Sequence, residues 1–460
     1  MSIHRRRLRR FGTARFLSEI RGFLHSWLVV ERHFRQKLAI LVKSLRTSEG
    51  RERLWQGVYG RIPSILWALA KIHRQSFAKH VRVVAIIGSY GKTTTTRAVA
   101  AALGVGNLRS IGQNYGSALS AAILRMRYRD RHAVLEVAMG GKGQIEKYAR
   151  LIQPDIVVVT CIGTEHMTST GSLEATRAEK AKMVAAVPSS GVVVLNGDDP
   201  HVLWMKTVTR AQVITYGFND LNQIKATDVV ENDINGLRFA LQLMDESYSV
   251  DTRLIGRHMI HSILAAMAVT HSEGQDPGQT IASLEQLEPT YNRLQVIQLK
   301  HHDAWILLDA KKSGLETIEA ALHTLSKLPA NRKLAILGDI EEPPGSQGPI
   351  YKLLGKRLAE VADYVIFIGG KKAFNSLRAG AVNAGLSRDS LKFSRTSPQQ
   401  ITAELDELLK PGDLVLLKGR TNQHLERVAL LLKGESVICS TPFCLRRHDC
   451  ASCLLRMHPS

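Results

Sequence analysis

The chain has 460 residues, 44% hydrophobic and 22% charged, with a formal net charge of +21. That length and balance exclude a fibrous or wholly disordered chain and predict a folded protein of two to four domains. The charge is uneven, since residues 1–80 hold 18 Lys or Arg against four Glu.

Taken in chain order, MSIHRRRLRR at 1–10 is the densest basic stretch. An anionic membrane surface ranks ahead of nucleic acid as its partner, because no recognised nucleic-acid motif follows; a solvated tail stays open beside both. Glu19, Arg21 and Glu31 interrupt any signal-peptide core, and no run approaches the ~18 apolar residues of a spanning helix. The expectation is a cytoplasmic protein, peripheral to the membrane at most. Its cysteines would be reduced or metal-bound. Apolar residues from Phe16 to Leu45 recur at helical spacing over 14–46, TSEG at 47–50 breaks the pattern, and a second helical region runs over 51–79 with an interruption near Pro63. Residues 1–80 thus read as a basic helical region.

VRVVAII at 81–87 reads as a buried parallel strand, followed by a turn and an Ala-rich helix. Further strands are expected at 132–138, 155–161, 191–196 and 211–216, giving an open α/β domain over 81–253, with a looser connection or small β excursion near 219–236. A second, smaller α/β domain is expected over 254–435. It should open with a helix at 258–270 and hold strands at 304–309, 333–337, 364–368 and 413–417, with helices at 314–327, 348–360 and 400–409. No internal repeat or low-complexity tract is visible.

GSYGKTTTT at 88–96 is a short form of the phosphate loop, GxxGK[ST], between a strand and a helix. Gly88 and Gly91 permit the tight turn that points backbone N–H groups at a phosphate. Lys92 offers a cation to the phosphates, and Thr93, followed by Thr94, a hydroxyl to Mg2+. Glu136, in AVLEVAM, is either an ordinary rim carboxylate or a Mg2+ ligand. His166 and Lys180, read alone, are a structural histidine and a solvated helix lysine. The tail at 436–460 holds Cys439, Cys444, Cys450 and Cys453 in a C-x4-C-x5-C-x2-C pattern. Four thiolates suit a closed Zn2+ site, an iron–sulfur cluster is the second choice, and an empty tail stays open. Cys161 reads as a separate strand residue.

Several separated strings together resemble the Mur ligases, most closely the branch that joins D-alanyl-D-alanine to a muramyl tripeptide. They are the phosphate loop, LEVAMGGKGQI at 135–145, CIGTEHMTSTGSLEATRAEKAKM at 161–183, LNGDDP at 195–200, LIGRHMIHSILAA at 254–266, LEPTYNRL at 287–294, LAILGDIEE at 334–342 and LLKGRTNQHLE at 416–426. The resemblance covers about 81–430 and implies the central P-loop and C-terminal domains of that family, with ATP and Mg2+ as cofactors. It implies that Lys92 and Thr93 bind phosphate and Mg2+, that Glu136 binds the same metal, and that His166 holds a second one. Lys180 would be the lysine that becomes carbamylated and helps place Mg2+. Asn114 would approach metal and substrate, Arg293 the nucleotide phosphates, Asp309 the nucleotide side, and Lys418 the bound substrates.

The implied chemistry is ligation. A carboxylate attacks the γ-phosphate of ATP, and an amine attacks the resulting acyl phosphate to leave an amide and phosphate. The partners are then a carboxylated small molecule or peptide and an amine donor. A muramyl-peptide ligase, a folate- or polyglutamate-like ligase and an inactive ATP-binding scaffold are the alternatives. Four departures from the family pattern stand out. Residues 1–80 do not read as a nucleotide-sugar domain. Met259 and Ser262 stand where Asn is expected, and Asn292 where Gly is. AKKSGLET at 310–317 replaces a SYNANP-like string, and its Lys311 and Lys312 either attract an anionic substrate or are surface charges.

Overall fold

The computed structural model describes residues 63–106, 116–165, 170–394, 397–441, 444 and 449–453. Most of the helical region expected over 1–80 lies outside them, as do Asn114 and His166. The chain divides into two units, Met1–Ala68 and Leu69–Ser460. Helix α1 (Pro63–Gln75) starts at the proline that the sequence marks as an interruption, a position where the missing N–H costs nothing.

In the second unit, β1 (Arg82–Ile87) turns through Gly88–Gly91 into α2 (Lys92–Ala102). Then come α3 (Gly116–Leu124), β2 (His132–Glu136), α4 (Gln144–Ile152), β3 (Ile156–Val159), α5 (Leu173–Ala185), β4 (Val192–Asn196) and β5 (Gln212–Gly217). The expected β excursion is a meander of β6 (Ile224–Asp233), β7 (Gly236–Leu243) and β8 (Glu246–Thr252), which extends the same sheet. The strand order is β2-β1-β3-β4-β5-β6-β7-β8. Strands β1 to β6 pair in parallel, and β6, β7 and β8 pair antiparallel. The chain leaves β1 toward β2 on one side and returns to β3 on the other. That reversal opens a crevice beyond the carboxyl end of β1, where ligands of such sheets bind.

Helix α6 (Ile260–Ser272) is apolar nearly all round, and Ile260, Ile263, Leu264, Ala265, Ala266 and Met267 are fully buried. It packs on α2 and on β4, β5 and β6, as a helix without a polar face must. Helix α7 (Pro277–Glu285) follows, capped by Asp276, whose carboxylate accepts from Gln279 N–H at 2.8 Å. The second sheet holds β9 (Gln295–Leu299), β10 (Ala304–Asp309), β11 (Arg332–Gly338), β12 (Tyr364–Ile368), β13 (Leu391–Ser394) and β14 (Asp413–Lys418). Its order is β13-β12-β11-β14-β10-β9, parallel except where β9 meets β10. Its helices are α8 (Leu315–Lys327), α9 (Gln347–Val361), α10 (Lys371–Asn383), α11 (Pro398–Leu408) and α12 (Glu426–Leu432).

Two glycines set how closely α9 and α10 cross. A Cβ on Gly355 would lie 1.9 Å from the Leu377 carbonyl oxygen, and one on Gly380 would lie 1.9 Å from that of Lys352. Backbone cannot move aside as a flexible side chain can, so the helices must separate. Gly380→Val should therefore lower stability by at least the ~1–3 kcal/mol typical of overpacking, read as a fall in the urea midpoint.

Candidate active site

The phosphate loop owes its shape to two glycines. Gly91 caps α2 in the left-handed region at φ 79°, which β-carbon-bearing residues avoid. A Cβ on Gly88 would lie 1.9 Å from Thr160 Oγ1. The loop is braced from the end of β3: Ser89 N–H donates to Cys161 O at 2.8 Å, and Thr160 Oγ1 donates to Tyr90 O at 2.6 Å. Cys161 is thus a support for the loop, its Sγ accepting from Tyr90 N–H at 3.4 Å.

Three buried lysines converge on this region. Lys92 Nζ donates to the carbonyls of Gly88 at 2.8 Å and Ser89 at 2.7 Å, and lies 3.4 Å from Glu165 Oε2. Lys180, on α5, is 1% exposed and donates to Ser89 Oγ at 2.8 Å. Burial, reinforced by the Lys92 charge and opposed by Glu165, lowers the Lys180 ammonium to about 7. Lys418, fully buried at the end of β14, donates to Asp309 Oδ2 at 2.8 Å and to Lys312 O at 2.6 Å. The sheet register sets Asp309 directly beside it. Burial lowers the Lys418 pKa too, and Asp309 counters it.

The carboxyl edges of the two sheets meet here. Lys312 Nζ reaches Glu165 Oε1 at 2.7 Å, and Glu341 at 3.8 Å. Burial would lower the Lys312 ammonium, but Glu165 and Glu341 outweigh it and raise it. Lys312 is therefore an ion-pair residue, not a free surface charge. Glu316, in the first turn of α8, accepts from Thr164 N–H at 2.8 Å, Thr164 Oγ1 at 2.9 Å and Tyr90 OH at 3.2 Å. Arg293 lies close enough that its charge lowers the pKa of both Lys312 and Lys418.

Of the residues singled out in the sequence, Gly88, Gly91, Lys92, Thr93, Thr94 and Lys180 share the loop and its surroundings. Asp309, Lys418 and Arg293 gather on the opposing edge. Glu136 ends β2, paired in register with Ile86 next to the loop, and is 7% exposed. Asn114 and His166 fall outside the described residues. Sequence reasoning missed Tyr90, Glu165, Lys312 and Glu316 as linked partners. Glu165 stood beside His166 in a quoted string, but its link to Lys312 spans 147 residues.

Two departures acquire local explanations. Ser262 Oγ lies 3.0 Å from Thr95 Oγ1 and ties α6 to α2, and Met259 is buried. The four-thiolate set expected in the tail does not assemble. Cys439 turns to Arg427 and Thr441, each at 3.7 Å, and the Cys444 N–H is held by Asn422 O at 2.9 Å. Cys450 instead joins His424 and Glu426, the group of three potential metal donors found among the described residues.

The arrangement is a phosphate cradle facing a second lysine-rich edge across a cleft that one buried carboxylate bridges. Comparison with known proteins agrees with it. The Mur ligase middle domain matches residues 86–270, and the Mur ligase, glutamate ligase domain matches residues 292–421. The UDP-N-acetylmuramoyl-tripeptide–D-alanyl-D-alanine ligase of Bacillus subtilis is 27% identical over 368 residues, covering 79% of this chain and 78% of its own. That of Mycobacterium bovis is 28% identical over 390 residues, covering 80% and 76%. In fold, the chain is similar to MurF from Acinetobacter baumannii, with TM-score 0.70 at 23% identity over 80% of each chain. It is also similar to MurF ligase from Thermotoga maritima in complex with ADP, with TM-score 0.69 at 23% identity over 81% of this chain and 84% of that one. The two domain matches together take in roughly two thirds of the sequence, and the chain belongs to the Mur ligase family of ATP-dependent, amide-bond-forming ligases.

Proposed function

We propose that the chain activates a carboxylate with ATP at the phosphate loop and joins it to an amine presented from the opposing edge. The observation that carries this reading is the convergence of Lys92 and Lys180 on one loop, bridged through Glu165 to Lys312 of the second sheet. A substrate carboxylate oxygen attacks the γ-phosphorus and ADP leaves. The amine nitrogen then attacks the acyl carbon and loses a proton, and the tetrahedral intermediate expels phosphate. Lys92 offsets charge on the transferred group. Lys312, Lys418 and Arg293 set a cationic wall opposite it, and Glu316 holds the edges together so that water is kept from the acyl phosphate.

The residues fit Mg2+. Thr93 and Glu136 are oxygen donors at the loop, as a hard cation requires. When bound there, Mg2+ would screen phosphate charge and orient the leaving group. Lys180 is suited to carbamylation, because lowering its pKa to about 7 gives it a substantial neutral fraction at physiological pH, and the neutral amine can add CO2. The carbamate would turn this buried cation into an oxygen donor facing the loop.

For the substrates, the relatives named above supply the reference pair: a UDP-N-acetylmuramoyl tripeptide and D-alanyl-D-alanine. We further propose a cytoplasmic location with residues 1–80 resting on an anionic membrane surface. The supporting feature is their 18 Lys or Arg against four Glu. Binding to vesicles containing phosphatidylserine should weaken steeply as salt rises; equal binding to neutral vesicles would count against it.

Purified protein with ATP, Mg2+ and the reference pair should yield a product equal in mass to acid plus amine minus water. A product formed only from cell-extract metabolites would keep the chemistry and replace the acid. ATP turnover with no condensation product from either source would overturn the proposal. Lys92→Ala and Lys180→Ala should each lower kcat on the order of 100-fold or more, the scale of removing one preorganised electrostatic group. Ligation by the unsubstituted enzyme should fall as pH drops below about 7, because protonation of Lys180 removes the amine that carries CO2. Excess bicarbonate should shift that limb to lower pH, and a limb indifferent to bicarbonate would argue against carbamylation.

A further inference from the structure

The Cys-rich tail is not used in the ligation chemistry proposed above, yet its described residues fold back onto the second domain. His424, Glu426 and Cys450 are 1%, 2% and 8% exposed, and their donor atoms all lie within 4.8 Å of one another. Glu426 Oε1 lies 2.8 Å from His424 Nδ1, and Cys450 Sγ lies 3.4 Å from the same nitrogen. Zn–N near ~2.0 Å and Zn–S near ~2.3 Å imply an S···N edge of about 3.5 Å in a tetrahedral shell, which the thiol contact matches, and an O···N edge of about 3.3 Å, so the Glu426 carboxylate would have to draw back from His424 as the metal enters.

Hydrogen bonding accounts for part of this cluster: Glu426 Oε1 meets His424 Nδ1 and accepts from Cys450 N–H at 3.3 Å. Nδ1 has a single proton or lone pair, so only its 2.8 Å contact with the carboxylate is a full-strength hydrogen bond, and the thiol at 3.4 Å is a weaker second partner. A nucleophilic relay would place its thiol and its carboxylate on opposite ring nitrogens, not on one. Glu426 Oε2 is buried without a hydrogen-bond partner, which is costly for a carboxylate oxygen. The neighbouring Arg427 does not relieve it: fully buried, it directs its donors to His424 O at 3.3 Å, Gln423 O at 3.4 Å and Cys439 Sγ at 3.7 Å. Converging nitrogen, oxygen and sulfur donors around an unsatisfied buried carboxylate match the ligand chemistry of zinc. Cys453 follows Cys450 at C-x2-C spacing, in a turn closed by its N–H to Cys450 O at 3.2 Å.

We propose that His424, Glu426 and Cys450 form the core of a structural Zn2+ site that fastens the tail to the loops around Lys311 and Lys312, with Cys453, which lies outside that trio in the adjoining turn, drawn in as fourth donor when the metal binds. The connection is short. Asp449, next to Cys450, pairs with Lys311 at 2.8 Å, and Thr421 Oγ1 donates to Lys311 O at 2.6 Å. Lys312, the neighbour of Lys311, bridges to Glu165 and supplies the carbonyl that receives Lys418. The site is independent of which acid and amine are joined.

The test is metal content of the full chain, loaded with zinc, desalted and measured by mass spectrometry of the element. About one zinc per chain is expected in the unsubstituted protein, in Cys439→Ser and in Cys444→Ser. His424→Ala and Cys450→Ser should lose it. Because either variant could fail to fold, the unsubstituted protein is also treated with a chelator, and alkylation of Cys450 and Cys453 by a maleimide is followed. Their reaction should accelerate at least tenfold when zinc is withdrawn and slow again when it is restored. Absence of stoichiometric zinc, alkylation indifferent to chelator, or zinc kept by His424→Ala but lost by Cys439→Ser and Cys444→Ser would overturn this donor set.

Discussion

Glu165 accepts from Lys92 of the phosphate loop and Lys312 of the second sheet, and the active cleft depends on that shared carboxylate. Both Lys92 and Glu165 are largely buried, with side chains 10% and 11% exposed. An unpaired charge in that setting would be strongly destabilising. Each sheet therefore supplies what the other lacks. The first brings a carboxylate and a cation at its carboxyl edge, and the second brings a further cation that Glu165 can hold. In the proposed reaction, a phosphate approaching the loop would compete with Glu165 for Lys92. That contact is the longest of the three Lys92 makes, at 3.4 Å, so it is the one most readily exchanged.

The three buried lysines show how environment divides one residue type into separate roles. Lys418 has a paired carboxylate and a carbonyl. Lys92 has two carbonyls and a longer carboxylate contact. Lys180 faces Ser89 Oγ and the like charge of Lys92. Desolvation acts on Lys180 and Lys418 alike, but the counter-charge in direct contact differs. Lys180 consequently lacks the directly bonded carboxylate that Lys418 has, which suits the role that the family resemblance implies for it.

Much of this was readable from the chain. Hydrophobic runs bounded by turns identified β1 to β5 and the main strands of the second sheet, because strands buried on both faces need uninterrupted apolar sequence. The short β13, LKFS, and the edge strand β9, QVIQL, have partly polar sequence and partly exposed positions, so their hydrophobic signal is weak. Lys92 announced itself through local spacing, since a phosphate loop is built by consecutive residues. Lys180 needed the family comparison, because a lysine in TRAEKAKM carries no mark of burial. The tail exposed the limit of spacing rules. Four cysteines suggested one another as partners, whereas Cys450 meets a histidine 26 positions earlier, brought near only after β14 and α12 are placed.

Tyr90 extends that point to the phosphate loop itself. In GSYGKT the third residue is formally free, because the glycines and the lysine define the cradle. Here its ring lies between two glycines from different sheets. A Cβ on Gly163 would come within 2.6 Å of Tyr90 Cε2, and one on Gly314 within 2.6 Å of Tyr90 OH. The hydroxyl then meets Glu316, which also holds Thr164. A large side chain on the loop thus matches missing side chains on both walls, and a local substitution at any of the three would be felt by the other two. The contacts of that residue are with the two walls that close on the loop. The loop proposed to bind phosphate is in this way also the surface on which Gly314 and Glu316 of the second domain seat.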